Sequence, residues 1–230
     1  MFLHKIHLNP KSREVRRDLA DPYELHSTLC RAFSPSDTKC PEGEFLWRLE
    51  PETDKEGNPR VIIQSRSFPD WSRINIRDWL VKPPSGSDVI NLLESRRLNL
   101  KSLQPGAKFR FRLRANPSVK RDGKRLGLLN TPGQELWLDR KGREQHGFTL
   151  PYLAGPETKE GQIPRVAVRI FQEQMLRGHR RNRAEIRVFS ALYDGVLTVA
   201  EPGKFLETLQ KGIGHGKTMG LGLLSIAPVS

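Results

Sequence analysis

Tyr23 and His26 stand three residues apart at the start of a helix signal, and they are the pair in this sequence best suited to moving a proton. An imidazole titrates near neutral pH and can take or give a proton, while a tyrosine hydroxyl can orient, donate or assist. The helix is announced by Asp21-Pro22-Tyr23-Glu24. Asp at the N-cap, Pro at the first helical position, where its missing N–H costs nothing, and Glu at the third match a capping box. Leu25, Leu29, Ala32 and Phe33 then recur at helical spacing and make one apolar face. At about 100° per residue, Tyr23 and His26 lie roughly 60° apart on the side away from Leu25 and Leu29, shared with Ser27 and Cys30. A helix N-terminus also offers unpaired N–H groups to a phosphate. The competing reading gives both residues a structural duty, with Tyr23 covering a sheet edge and His26 solvated.

Basic side chains form three further groups. Arg110, Arg112 and Arg114 alternate with Phe109, Phe111 and Leu113 along one strand pattern, and Lys120, Arg121, Lys124 and Arg125 follow in a loop. Arg177, Arg180, Arg181 and Arg183 crowd one turn between two strand patterns. Such a hairpin tip has the shape of an element that reads an A-form RNA hairpin through its phosphates and its form. One alternating strand usually means a solvated sheet face; three groups in one half of a chain point to a phosphate-bearing partner.

Near the carboxyl end, Gly212-Ile213-Gly214-His215-Gly216-Lys217-Thr218-Met219-Gly220-Leu221-Gly222 resembles a phosphate-binding P-loop in Gly216-Lys217-Thr218. The P-loop spacing, however, needs glycine where Lys211 stands. Only twelve residues follow Thr218, too few for the strands that supply a magnesium carboxylate. Nucleotide hydrolysis is excluded. What remains is a flexible glycine loop whose N–H groups at Gly214 and Gly216, with Lys211, His215 and Lys217, suit a nucleic-acid backbone. The six histidines show no H-E-x-x-H or paired-carboxylate spacing, so neither a metal nor another cofactor is expected.

Composition bounds the partners. The chain has 230 residues with 39 Lys or Arg and 26 Asp or Glu, a net charge of +13. Residues 1–106 carry 17 basic and 15 acidic side chains, whereas 107–230 carry 22 and 11. A thermophilic or merely solubilising surface would enrich both signs together, so the asymmetry favours a polyanion. No window approaches 18 consecutive apolar residues, which excludes a transmembrane helix. A membrane-surface protein would carry a basic amphipathic helix, and these basic residues lie on strands and in loops instead. Cys30 and Cys40 make neither a disulfide framework nor a zinc site. A soluble, reduced, cytoplasmic protein is expected.

The elements that must position these groups fall into two similar halves. Residues 2–8 alternate as a strand, the helix at Asp21 follows, and 45–50 and 60–66 read as strands. Residues 69–83 read as a short helix and closing strand, and 84–106, with a short helical pattern over Val89–Leu93, as a linker or insertion. The pattern then restarts with a strand at 107–115, a basic loop at 117–125, a helix around 132–145 and strands near 163–176 and 185–200. A helix at 202–210 and a strand at 221–227 close it. Strand–helix–strand–strand–helix–strand occurs twice, so the fold class is α+β: tandem ferredoxin-like units over 1–83 and 107–230.

The residues Asp21-Pro22-Tyr23-Glu24-Leu25-His26, Phe109-Arg110-Phe111-Arg112-Leu113-Arg114-Ala115-Asn116-Pro117 and Gly220-Leu221-Gly222-Leu223-Leu224-Ser225, in that order across nearly the whole chain, resemble the CasE family. Its members are the CRISPR RNA-processing endoribonucleases of the type I-E Cascade complex. The resemblance implies metal-free cleavage of precursor CRISPR RNA at the base of each repeat hairpin. It implies a protein that keeps its product and joins the other Cascade subunits. It places the catalytic pair on Tyr23 and His26, the glycine loop on 212–222 and the RNA-gripping hairpin near 177–183. Arg31 is a candidate phosphate stabiliser, although its helical angle lies off the Tyr23–His26 side. The stretch 84–103 is longer than the family needs. The implied chemistry is attack of a ribose 2′-OH on the adjacent phosphate, leaving a 2′,3′-cyclic phosphate and a 5′-OH. A second reading keeps the fold and makes the protein a non-catalytic RNA-hairpin-binding subunit.

Overall fold

Two antiparallel sheets, each with helices on one face, build the molecule. The computed structural model describes residues 1–35, 38–74, 76–82, 89–91, 103–153, 165–179 and 185–229. In the first sheet β1 (Phe2–His7) lies between β3 (Arg60–Ser65) and β4 (Val89–Asn91), and β2 (Phe45–Leu49) pairs on the outer side of β3. The pairing sets Phe2 opposite Ser65 and His7 opposite Arg60. Val89–Asn91, expected as helix within a linker, is thus the edge strand of the first sheet. A three-residue stretch has no period of its own, and the open edge of β1 decides its state. Among the described residues of 69–82 the regular structure is the 3₁₀ turn Trp71–Arg73 and an isolated bridge from Leu80 to Leu8.

Two helices cover this sheet: α1 (Arg13–Ala20), which sequence patterning misses, and α2 (Pro22–Cys30). The side chain of Ser12 caps α1, accepting the Val15 N–H. The apolar period is invisible because its inward positions are Val15 and a carboxylate, Asp18, which accepts from Trp79 Nε1 at 2.9 Å and from Arg17 at 2.7 Å. Leu25 and Leu29 of α2 join Ile6, Leu8, Val61, Ile63, Trp47 and Trp79 in the first core. Burial of each such side chain contributes about 1.5–3 kcal/mol.

The second sheet repeats the plan. β5 (Lys108–Ala115) lies between β11 (Leu224–Pro228) and β10 (Ile186–Val199). The far edge of β10 pairs with β9 (Val168–Gly178) and, at its end, with β8 (Phe148–Thr149). Helices α3 (Thr131–Lys141) and α4 (Pro202–Lys211) cover it. Phe111, Leu113, Trp137, Leu138, Phe148, Tyr193 and Phe205 fill the second core. With the two-residue β8 set aside, the strands of each sheet, numbered in chain order, run four–one–three–two, the ferredoxin-like arrangement. The stretch expected as a basic loop is a hairpin, β6 (Ser118–Arg121) and β7 (Lys124–Gly127), turning at Asp122-Gly123. Asp122 and Gly123 both hold positive φ, the turn geometry that matches strand twist.

Candidate active site

Asp21 caps the start of α2, its carboxylate accepting the Tyr23 N–H at 2.8 Å; the expected capping box does not close, because the Asp21 N–H bonds Arg17 O and the Glu24 carboxylate turns toward Arg17. Leu25, Thr28 and Leu29 turn into the core, which leaves Tyr23 and His26 lining a cavity of about 1190 Å³. Arg31, Lys211 and Lys217 line the same cavity. The wheel angle that set Arg31 aside fails because α2 ends at Cys30 and the chain tightens, with the Arg31 N–H bonding Thr28 O at 3.2 Å. Tighter turning advances each residue further round the axis. Three more cations line the cavity with no sequence signal to mark them: Lys39, Arg66 and Arg73. They arrive through the return of β2 and β3, a long-range pairing that no local pattern contains. Arg73 is paired with Asp70 at 3.1 Å and Lys211 with Glu207 at 2.8 Å. Among the described residues Arg31, Arg66 and Lys217 have no carboxylate partner.

His26 is half-buried rather than freely solvated. Its ring packs 5.1 Å from that of Phe45, its Nε2 meets Cys30 Sγ at 3.7 Å, and its Nδ1 is buried with no partner among the described residues. Burial lowers its pKa to about 4, so the imidazole is neutral at pH 7. Burial and the neighbouring Cys40 push the Cys30 thiol up to about 12, so it stays a thiol beside the ring.

The glycine loop is built rather than flexible. Gly212, Ile213, Met219 and Gly220 are buried, Ile213 N–H bonds Gly222 O at 2.9 Å, and Gly222 N–H bonds Arg114 O at 2.7 Å. Gly220 sits at φ 75°, where an added Cβ would come within 2.8 Å of the Trp47 ring. The N–H groups of Gly214, His215 and Gly216 have no protein acceptor among the described residues. The pKa of His215 is depressed by burial and then by Arg125, Lys141 and Lys217. These three cations come from the β6–β7 hairpin, the end of α3 and the cavity rim, and all act on His215. Lys120, Arg121, Lys124 and Arg125 are exposed on that hairpin, and Lys120 faces Arg125 while Arg121 faces Lys124 across it.

The β5 arginines need correction. Arg110 is exposed, but Arg112 holds Asp194 at 2.8 and 2.9 Å, Glu50 at 2.9 Å and Glu52 at 3.0 Å. Arg114 is only 6% exposed and donates to Gln172 at 2.6 Å, and burial lowers its pKa. The alternation of β5 is as read; the face opposite its aromatics meets the first unit instead of solvent. There Arg48 donates to the carbonyls of Arg112 and Leu223, each at 3.1 Å, and pairs with Glu50 at 2.6 Å. Neither Arg112 nor Arg114 offers a free guanidinium to a polyanion. Arg177 is exposed on β9, opposite Arg187. Arg180, Arg181 and Arg183 lie outside the described residues. No cluster of three or more His, Cys, Asp or Glu among the described residues is arranged for a metal ion, and no described helix is long and apolar enough to cross a membrane.

The profile of the CRISPR associated protein family matches residues 1–228. The CRISPR-associated endoribonuclease Cse3 of Thermus thermophilus is 39% identical over 235 residues, covering 99% of this chain and 100% of that one. The chain belongs to the CRISPR-associated Cse3/CasE family. Within this family, the Cascade subunit CasE of Escherichia coli strain K12 is 27% identical, with both chains covered completely. Among solved structures, Thermus thermophilus Cse3 bound to an RNA representing a pre-cleavage complex superposes with TM-score 0.76 at 37% identity, covering 99% of this chain and 98% of that one. The crystal structure of Escherichia coli Cas6e, 23% identical with TM-score 0.65 and full coverage of both, shares the fold. The tandem ferredoxin-like reading is therefore correct.

Proposed function

We propose that the protein is an endoribonuclease that cuts precursor CRISPR RNA at the base of the repeat stem-loop and remains with the product among the other Cascade subunits, in the cytoplasm. The observation that carries this reading is the cavity: Tyr23 and His26, from the first unit, share it with Lys211 and Lys217, from the second. A stem lying on the β6–β7 hairpin and the glycine loop brings its base to that cavity. Arg177, exposed on β9, is a further candidate RNA contact; Arg180, Arg181 and Arg183 are candidates from the sequence alone. The match to an endoribonuclease Cse3 along the whole chain supports the reading.

The residues suit the reaction that the family resemblance implies. The 2′-OH attacks the adjacent phosphorus, its proton passes to a base, the P–O5′ bond breaks, and the 5′-oxygen takes up a proton. The products are a 2′,3′-cyclic phosphate and a 5′-OH. A neutral imidazole is a proton acceptor, so His26 removes the 2′-OH proton, and Tyr23 orients the attacking hydroxyl. Arg31, Arg66 and Lys217 carry the cationic charge that the dianionic phosphorane needs. The catalytic groups named here are side chains and no metal enters a step.

The test is incubation with cognate repeat RNA in EDTA, beside a copy with a 2′-deoxy nucleotide at the scissile position. One cut in the ribo copy alone is expected. Tight binding with no cut in either RNA, unchanged by added magnesium, would leave a hairpin-binding subunit without an activity.

A further inference from the structure

The amino end of α2 is held from both halves of the molecule. Asp21 uses one carboxylate oxygen, Oδ1, to accept the Tyr23 N–H at 2.8 Å, which is ordinary N-capping. Its other oxygen, Oδ2, accepts the backbone N–H of His179 at 2.8 Å and is 3.0 Å from His179 Nδ1. His179 directly follows β9, the strand that carries Arg177. The approach is close: a Cβ on Gly178 would stand 2.8 Å from the Met219 side chain and 3.3 Å from Asp21 Oδ1. Met219 itself closes the 3₁₀ turn Lys217–Met219 of the glycine loop. One carboxylate thus joins the helix bearing Tyr23 and His26 to the strand end that bears Arg177, which itself packs on Met219 of the glycine loop.

We infer that Asp21 is a positioning residue for cleavage, a clamp that sets Tyr23 and His26 in register with Lys217 and the RNA on the second unit. The inference rests on reading Tyr23 and His26 as the reacting groups. A helix N-cap needs only one acceptor oxygen, and Ser caps about as well as Asp. The second oxygen, spent on a residue 158 positions away in sequence, does nothing for the helix as a helix. It fixes where the helix sits relative to the other unit, and displacement of a reacting group by about 1 Å can cost on the order of 10²-fold in rate.

The experiment separates capping from clamping. Asp21→Ser keeps a capping oxygen and removes the bridge. His179→Pro keeps Asp21 and removes both the N–H and the imidazole donor. Single-turnover cleavage at saturating protein, affinity for the 2′-deoxy repeat RNA and thermal midpoint are measured for each, for the double variant and for His26→Ala. Each single variant is expected to cleave about tenfold or more slowly, with affinity unchanged. The double variant is expected to be no slower than either single, because both break one contact. Asp21→Ser or His179→Pro cleaving at the parent rate overturns the clamp, and so does a loss confined to affinity or an additive double variant. If Asp21→Ser does not fold, His179→Pro decides alone. Full activity in His26→Ala would overturn the reading of the reacting pair itself, whereas an inactive His26→Ala beside a fully active Asp21→Ser removes only the clamp.

Discussion

His26 takes its chemical state from its surroundings. A solvated histidine is half-protonated near pH 6.5, but this ring lies against Phe45 with its pKa lowered to about 4 by burial. If it accepts the 2′-OH proton, kcat/KM should hold level from neutral pH down to about 5 and fall as pH drops through 4, since protonation removes the base. A rate that instead climbs about tenfold for each pH unit lost below neutrality would assign His26 the acid role. His26→Ala should lower single-turnover cleavage by about 10²–10⁴ with little change in RNA affinity. The helix wheel was enough to put Tyr23 and His26 on one side, because side-chain direction within α2 follows from spacing. The wheel could not show Phe45, 19 residues on, or the desolvation it causes.

The hairpin β6–β7 shows how an element declares a partner. It sets Lys120 against Arg125 and Arg121 against Lys124 across its two strands. Like charges directly opposite are destabilising, so an isolated protein gains nothing from this register, and a polyanion lying across it relieves the repulsion. Replacing Lys120 and Arg125 together with Ala should weaken RNA binding without sequence preference and reduce the steepness of its salt dependence by about two in log–log slope. An unchanged slope would remove the hairpin from the RNA interface. The local record is uneven for physical reasons. The Asp122-Gly123 turn could have marked the hairpin, whereas α1 hides because its inward face carries Asp18 in place of a leucine. Val89–Asn91 is a strand only because β1 has an edge to fill.

At the scale of the whole molecule, charge binds the two units together as well as facing outward. Arg112 joins β5 to Glu50 and Glu52 of the first unit and to Asp194 of β10. Arg112→Ala leaves these carboxylates short of a partner and should cost about 2 kcal/mol or more, lowering the thermal midpoint by roughly 4 °C or more. The salt slope of RNA binding should not move, and a reduced slope would return Arg112 to the RNA surface. Acid should loosen the molecule too. His4, His26 and His146 each have a folded pKa lowered to about 4, burial being the first cause in all three. Between pH 6.5 and 4 the unfolded chain therefore binds more protons, and stability falls as pH falls, by up to about 1.4 kcal/mol per pH unit for each histidine. Thermal unfolding at pH 7 and pH 5 measures the drop. His4→Phe, which cannot be protonated, should shrink it, and an undiminished drop would exclude His4 as a source.

The amino-acid sequence by itself determined the two α+β units, the helix that carries Tyr23 and His26, the basic bias of the second half and the glycine loop beside Lys217. Each of these is a short-range property: period, cap, turn or local charge. The tertiary structure alone decided which further cations reach the cavity, drawing in Lys39, Arg66 and Arg73. It also turned Arg112 and Arg114 inward and brought His179 onto Asp21. A spacing rule says which way a side chain points from its own element; what stands opposite depends on another part of the chain, and only packing brings the two together.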